Sequence, residues 1–108
     1  MAVPLTEKEF SQHLNSTFQL KLDDRKIELK LVEVKGYLPQ PNEQSGMERF
    51  SVFFDGPGDT YLPQSVYSLD HELMGTFDIF LVPISGDRKG FRYEAVFNYF
   101  RKTEGSKQ

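Results

Sequence analysis

The sequence predicts a mainly β protein: a small antiparallel barrel or sandwich of five or six strands with one N-terminal helix. Over most of residues 18–100, apolar and polar side chains alternate with the period of two that is typical of half-buried strands. Clusters of Gly, Asp, Pro and Ser separate these runs, and no helical period comes between them, which favours an antiparallel arrangement. The chain has 108 residues, a length that fits a single domain over residues 1–108.

The first predicted element is a helix over about residues 6–17. Thr6 and Glu9 have the Thr-x-x-Glu spacing of a capping box, in which each end satisfies a free backbone N–H group. Phe10 and Leu14 are four residues apart and therefore share one face. We expect the helix to dock on the sheet through these two side chains.

The strands are predicted to begin at Phe18, where the period changes from helical to alternating. The alternation slips by one residue at Leu31 and Val32, and a β-bulge there would absorb the slip. A polar, proline-containing loop is expected at about 38–47 and a frayed tail at about 102–108.

The segment from Phe77 to Ile84 is nearly continuously apolar, so both faces of this strand are expected to be covered. One face of this strand carries the row of side chains that contains Phe80. The N-terminal helix is the simplest candidate to cover that row, and a partner subunit is the alternative. Under the first model, a charge in place of Phe80 would prevent folding of the monomer.

Composition excludes several classes of function. There is no Cys, which removes disulfides and thiolate chemistry, and the net charge of −3 leaves no basic footprint for nucleic acid. The longest apolar run, residues 79–84, is too short to span a bilayer, and no signal peptide is visible. We therefore expect a cytoplasmic protein with no nucleic-acid partner and no membrane span.

The candidates for chemistry are few. His71 lies between two acidic residues in Asp70-His71-Glu72, and the other histidine is His13. A metal site needs three or four converging ligands, and a nucleophilic Ser needs a defined base, so neither pattern is complete. The sequence predicts no catalytic residue, no metal and no cofactor, with an enzyme that uses His71 and Glu72 or Glu94 as a minor alternative.

Several segments of the second half carry a resemblance. The chain resembles an uncharacterised family of small bacterial proteins over about residues 48–100, through Leu62-Pro63-Gln64, Tyr67, His71, Gly75-x-Phe77, Phe80-Leu81-Val82-Pro83 and Tyr93-Glu94-Ala95-Val96-Phe97-Asn98. The resemblance implies a bacterial origin and an unassigned function, and the occurrence of relatives beside phage-tail-like genes implies an accessory or assembly role. It implies no catalytic residues.

Four polar residues are embedded among apolar ones in these segments: Gln64, His71, Glu94 and Asn98. They would form one buried hydrogen-bond network, which we favour, or line a binding groove.

We expect a non-enzymatic structural or interaction module, as an accessory of a phage-like or surface assembly. Its partner would be a protein, and the chain itself would be a monomer or homodimer. The alternative is a small-ligand-binding barrel whose many aromatic rings line a cavity.

Overall fold

The computed structural model describes residues 5–37, 47–87 and 89–100, and for residues 47–48 and 98–100 it describes the backbone only. The elements are α1 (Glu7–Ser11), β1 (Thr17–Leu22), β2 (Arg25–Gly36), β3 (Met47–Pro57), β4 (Ser65–His71), β5 (Gly75–Asp87) and β6 (Gly90–Phe100). The predicted loop, apart from residue 47, and the predicted tail lie outside the described residues.

The six strands form a closed antiparallel barrel in the order β1-β2-β3-β6-β5-β4. Pairing of β1 with β4 closes it, with Gln19 opposite Asp70 and Leu20 opposite Leu69. Of the two predicted architectures, the barrel is therefore correct.

Side chains of the barrel wall fill its interior. The period of two sends alternate residues inward, and the inward positions are apolar. The buried members that lie on strands are Phe18, Leu20, Ile27, Leu29, Leu31, Phe50, Val52, Phe54, Leu69, Ile79, Leu81, Tyr93 and Ala95.

The helix begins as predicted and ends earlier. The Thr6 hydroxyl accepts the backbone N–H of Glu9 at 3.0 Å, which is the predicted cap. However, α1 ends at Ser11, because the chain is captured by β2: the Asn15 N–H donates to the Leu31 carbonyl at 2.6 Å. Asn15 adopts the left-handed conformation, with φ of 70°, that reverses the chain into β1.

Phe10 attaches α1 to one end of the barrel. Its ring is fully buried, with centroids 5.6–6.4 Å from four rings of the wall, those of Phe18, Phe50, Phe77 and Phe97. The predicted second anchor is wrong, since Leu14 lies in the turn after α1 and is 41% exposed.

Two bulges bend the wall. The register between β2 and β3 shifts between Leu31 and Glu33, which is the slip that the sequence predicts. A second shift lies between Pro83 and Ser85, where β5 pairs with β6. Proline donates no backbone hydrogen bond, and its position beside a bulge is consistent with that loss.

The prediction that α1 covers the Phe80 row is wrong. Ile79 and Leu81 face the interior, whereas Phe80 is 47% exposed and Ile84 is 45% exposed on the outside. The physical reason is that α1 packs against β2 and β3, with Phe10 directed into the barrel end, so it does not lie against the outer wall of β5.

Among the described residues the helical part is α1, and five residues are too few to cross a membrane.

Candidate functional site

The most developed polar cluster surrounds His71, at the end of the barrel that α1 covers. His71 is the last residue of β4 and is only 4% exposed. Its ring lies against that of Phe18, with centroids 4.3 Å apart. Gly75, with φ of 82°, allows the tight reversal into β5 directly afterwards. A buried imidazole at a turn needs partners for both nitrogens.

The turn between β4 and β5 supplies partners for one nitrogen. The backbone N–H groups of Leu73 and Met74 both donate to His71 Nδ1, at 3.0 and 3.1 Å. A nitrogen that accepts from N–H groups carries no proton, so in the neutral ring the proton is on Nε2. The hydrogen-bond network therefore defines the tautomer of His71.

The other nitrogen reaches the chain that joins α1 to β1. His71 Nε2 lies 3.0 Å from the Ser16 hydroxyl, and that hydroxyl donates to the carbonyl of His13 at 2.5 Å. Donation thus runs from His71 to Ser16 and on to a backbone oxygen. A nucleophilic serine needs the opposite direction, with its hydroxyl donating to the imidazole. The arrangement ties two segments together and does not activate Ser16.

His13 completes the cluster. Its ring lies 4.8 Å from that of His71, and its Nε2 lies 3.2 Å from the Glu9 carboxylate, one helical turn away. Burial lowers the pKa of His71, and the neighbouring charge of His13 lowers it further. Asp70 and Glu72 act in the opposite direction, to a smaller extent.

A cleft of about 390 Å³ opens beside this cluster, lined by Ser16, Thr17, Gln19, Glu28, Asp70, His71 and Glu72. Among the described residues, no group of three His, Asp or Glu side chains is placed to hold a metal ion. Both ring nitrogens of His71 already have partners, so the cluster joins the β4–β5 turn to the segment before β1.

The four predicted polar residues do not meet in one network as far as the structure describes them. Gln64 is exposed and lies before β4, and the side chain of Asn98 lies outside the described residues. Glu94 faces the outside of β6, because its neighbours Tyr93 and Ala95 point into the barrel. His71 alone among the described three belongs to the cluster above.

Glu94 takes part in a separate contact on the outer wall. The buried hydroxyl of Ser51 on β3 donates to Glu94 at 2.7 Å. Since that hydroxyl has one proton, it accepts from Tyr37, whose oxygen is 2.9 Å away. The hydrogen-bond chain, in which Tyr37 donates to Ser51 and Ser51 donates to Glu94, joins the end of β2 to β3 and β6.

A family model described as a domain of unknown function, DUF6916, matches residues 5–97. The chain belongs to the DUF6916 family. No curated protein and no solved structure matches the chain. Membership of an uncharacterised family is thus confirmed. The family match extends over the N-terminal half of the chain, whereas the resemblance covers only about residues 48–100.

The DUF6916 domain has a larger cleft at the β5–β6 hairpin, of about 550 Å³, lined in part by Gly86, Gly90 and the Arg92–Asp55 ion pair. Its glycines have a packing role. A Cβ at Gly86 would fall 2.2 Å from the ring of Phe91, and one at Gly90 would fall 2.8 Å from a backbone carbonyl oxygen. Close approach of the two strands explains these glycines.

The outer wall of the DUF6916 domain has an apolar face that contains the Phe80 row expected from the sequence, together with residues of β4 and β6 that were not assigned to it. Val66 on β4 lies directly opposite Phe80 on β5, and the two are 59% and 47% exposed. Val82, two residues after Phe80, and exposed Val96 on β6 lie on the same face by register. We call Val66, Phe80, Val82 and Val96 the outer apolar face.

A sequence signal for this face exists. Tyr67 and Leu69 alternate as inward residues, which places Val66 outward although it is apolar. The same argument places Val96 outward between Ala95 and Phe97.

Proposed function

We propose that this protein is a non-enzymatic interaction module that docks on another protein through the outer apolar face. The observation that carries the proposal is the exposed cross-strand pair of Val66 and Phe80. Single exposed apolar residues are common, whereas neighbouring ones on a sheet surface mark interaction sites.

The extent of the face supports the proposal. The pairing of Val82 with Glu94 places the apolar side chains of three consecutive strands, β4, β5 and β6, on one side of the barrel. On the opposite wall, β2 alternates Glu28, Lys30, Glu33 and Lys35 on its exposed positions, as a solvated surface does. The contrast between the two walls favours a docking role for the apolar one.

The ligand-binding alternative has less support. Eight strands give a barrel whose interior is just wide enough to be filled by its own side chains, and this barrel has six. Residues that would line a cavity, such as Leu29, Phe54 and Tyr93, are fully buried against one another in a single core cluster.

The enzyme alternative also has less support. A base at His71 would need a free nitrogen, and both nitrogens are engaged. Glu94 is not placed to act with His71, since it lies on the outer wall of the barrel, where it accepts a hydrogen bond from Ser51.

The biological setting rests on the resemblance noted above. We propose a bacterial origin, a cytoplasmic location and an accessory role in a phage-like or surface assembly, with a protein as the partner. The net charge of −3 is in keeping with a partner other than nucleic acid.

The test is site-specific photo-crosslinking in the native cell. A photoreactive amino acid is placed at position 80, on the outer apolar face, and as a matched control at position 30, where Lys30 is exposed on β2. We expect one discrete crosslinked protein from position 80 and none from position 30. Equal labelling from both positions would contradict the proposal, as would a product that contains only a second copy of this 12.5 kDa chain.

A further inference from the structure

We infer that His71 is an acid-sensitive latch, which holds the β4–β5 turn closed when its ring is neutral and releases that turn when Nδ1 takes up a proton. This inference is independent of the docking role proposed above. It rests on which atoms of His71 accept and which donate.

The latch joins segments that are distant in sequence. On one side, Nδ1 accepts the N–H groups of Leu73 and Met74 and so shapes the turn. On the other, Nε2 reaches Ser16, 55 residues earlier in the chain. The side chain of Met74 is fully buried in the core, so the turn and the barrel end are packed together.

Protonation is incompatible with this geometry. A proton on Nδ1 would convert the acceptor of two hydrogen bonds into a donor that points at two N–H groups. Both backbone groups would lose their partner, and a buried unpaired N–H is costly. The charged ring can still donate from Nε2 to Ser16, but it can no longer accept the two N–H groups of the turn at Nδ1.

The charged groups around His71 come from each element that packs against it. From α1 and its turn come Glu9 and His13, and His13 disfavours a second positive charge 4.8 Å away. From β4 and the turn come Asp70 and Glu72, which favour the charge but are exposed to solvent. Glu28 of β2 lines the adjoining cleft. Ser16, in the segment before β1, is uncharged, as are the Thr17, Phe18 and Gln19 side chains that β1 places beside His71 or the cleft.

The direction of the pH dependence follows. Burial and His13 lower the pKa of His71 in the closed state, so the released state binds a proton first as the pH falls. The contribution to stability is complete above the ordinary histidine pKa of about 6.5 and is lost as the pH falls towards the closed-state value. Within that interval the opening equilibrium should increase roughly tenfold for each pH unit.

Amide hydrogen exchange of the full chain tests the latch. Between pH 7.5 and 5.0, after correction for intrinsic exchange rates, the protection of the Leu73 and Met74 amides should fall, by up to about tenfold for each pH unit below the ordinary histidine pKa. Amides of β3 at the centre of the wall, such as Val52, should keep their protection over the same range. Unchanged protection at Leu73 and Met74 would overturn the inference.

Two variants separate His71 from its neighbour. His71→Asn keeps an oxygen acceptor for the turn but does not titrate, so its turn amides should show no loss of protection on acidification. His13→Asn should retain the loss, shifted to higher pH because a competing charge is gone. If His71→Asn does not fold, the wild-type titration of the His71 ring by NMR still decides, since the loss of protection in the turn must begin at a pH above the midpoint of the ring's own titration.

Discussion

The hydroxyl of Tyr93 accepts the backbone N–H of Leu62 at 3.0 Å inside the barrel, where both residues are almost fully buried. This contact joins the loop between β3 and β4 to the wall of β6, far along the strands from α1. It satisfies a backbone donor that water cannot reach, and burial raises the pKa of the Tyr93 hydroxyl.

Tyr93→Phe removes this acceptor while keeping the ring. We expect the free energy of unfolding to fall by about 1–3 kcal/mol, because the Leu62 N–H is left buried without a partner. Urea denaturation measures the change. Tyr67→Phe is the matched control, since its hydroxyl donates to the Pro63 carbonyl at an exposed site; an equal loss in both variants would contradict the assigned role of Tyr93.

Phe10→Ala tests the attachment of α1. We expect a loss of about 3–5 kcal/mol in the free energy of unfolding, because a fully buried aromatic ring is removed from among four others. Leu14→Ala should change it by no more than about 0.5 kcal/mol, since that side chain is exposed in the turn. The reverse ranking by thermal or urea denaturation would refute this account of the helix.

Phe80→Asp tests whether the outer apolar face is external to the fold. The variant should fold, with a stability change of about 1 kcal/mol or less, because the new charge points into solvent beside Val66. Circular dichroism and light scattering check the fold and the mass. Unfolding of the variant would mean that the row of side chains containing Phe80 is covered within the monomer, as the sequence by itself predicts.

Metal removal should have no effect on stability. No described group of three His, Asp or Glu side chains is arranged as a metal site, and both His71 nitrogens bond to the chain. The melting temperature in excess chelator should therefore equal that in buffer, because a structural metal would contribute to the free energy of folding. A lower melting temperature that zinc restores would be evidence of a site at His71.

Local sequence patterns predicted the elements whose causes are local. The cap at Thr6 follows from a three-residue spacing, and the bulge after Leu31 follows from a slip in alternation. The helix end could not be predicted in this way, since Asn15 is captured by Leu31, a residue of another element. Likewise, the search for a site identified His71 but could not know that Ser16 would be its partner.

The sequence by itself determined a mainly β chain with a capped helical turn at its start and strands whose apolar and polar side chains alternate. This was possible because the side-chain period of a strand can be read from consecutive residues. Tertiary structure alone decided that the sheet closes as a barrel, that α1 covers its end and leaves Phe80 outside, and that His71 donates to Ser16. These outcomes depend on which distant groups meet, and the direction of a hydrogen bond is set by the donors and acceptors that surround it after folding.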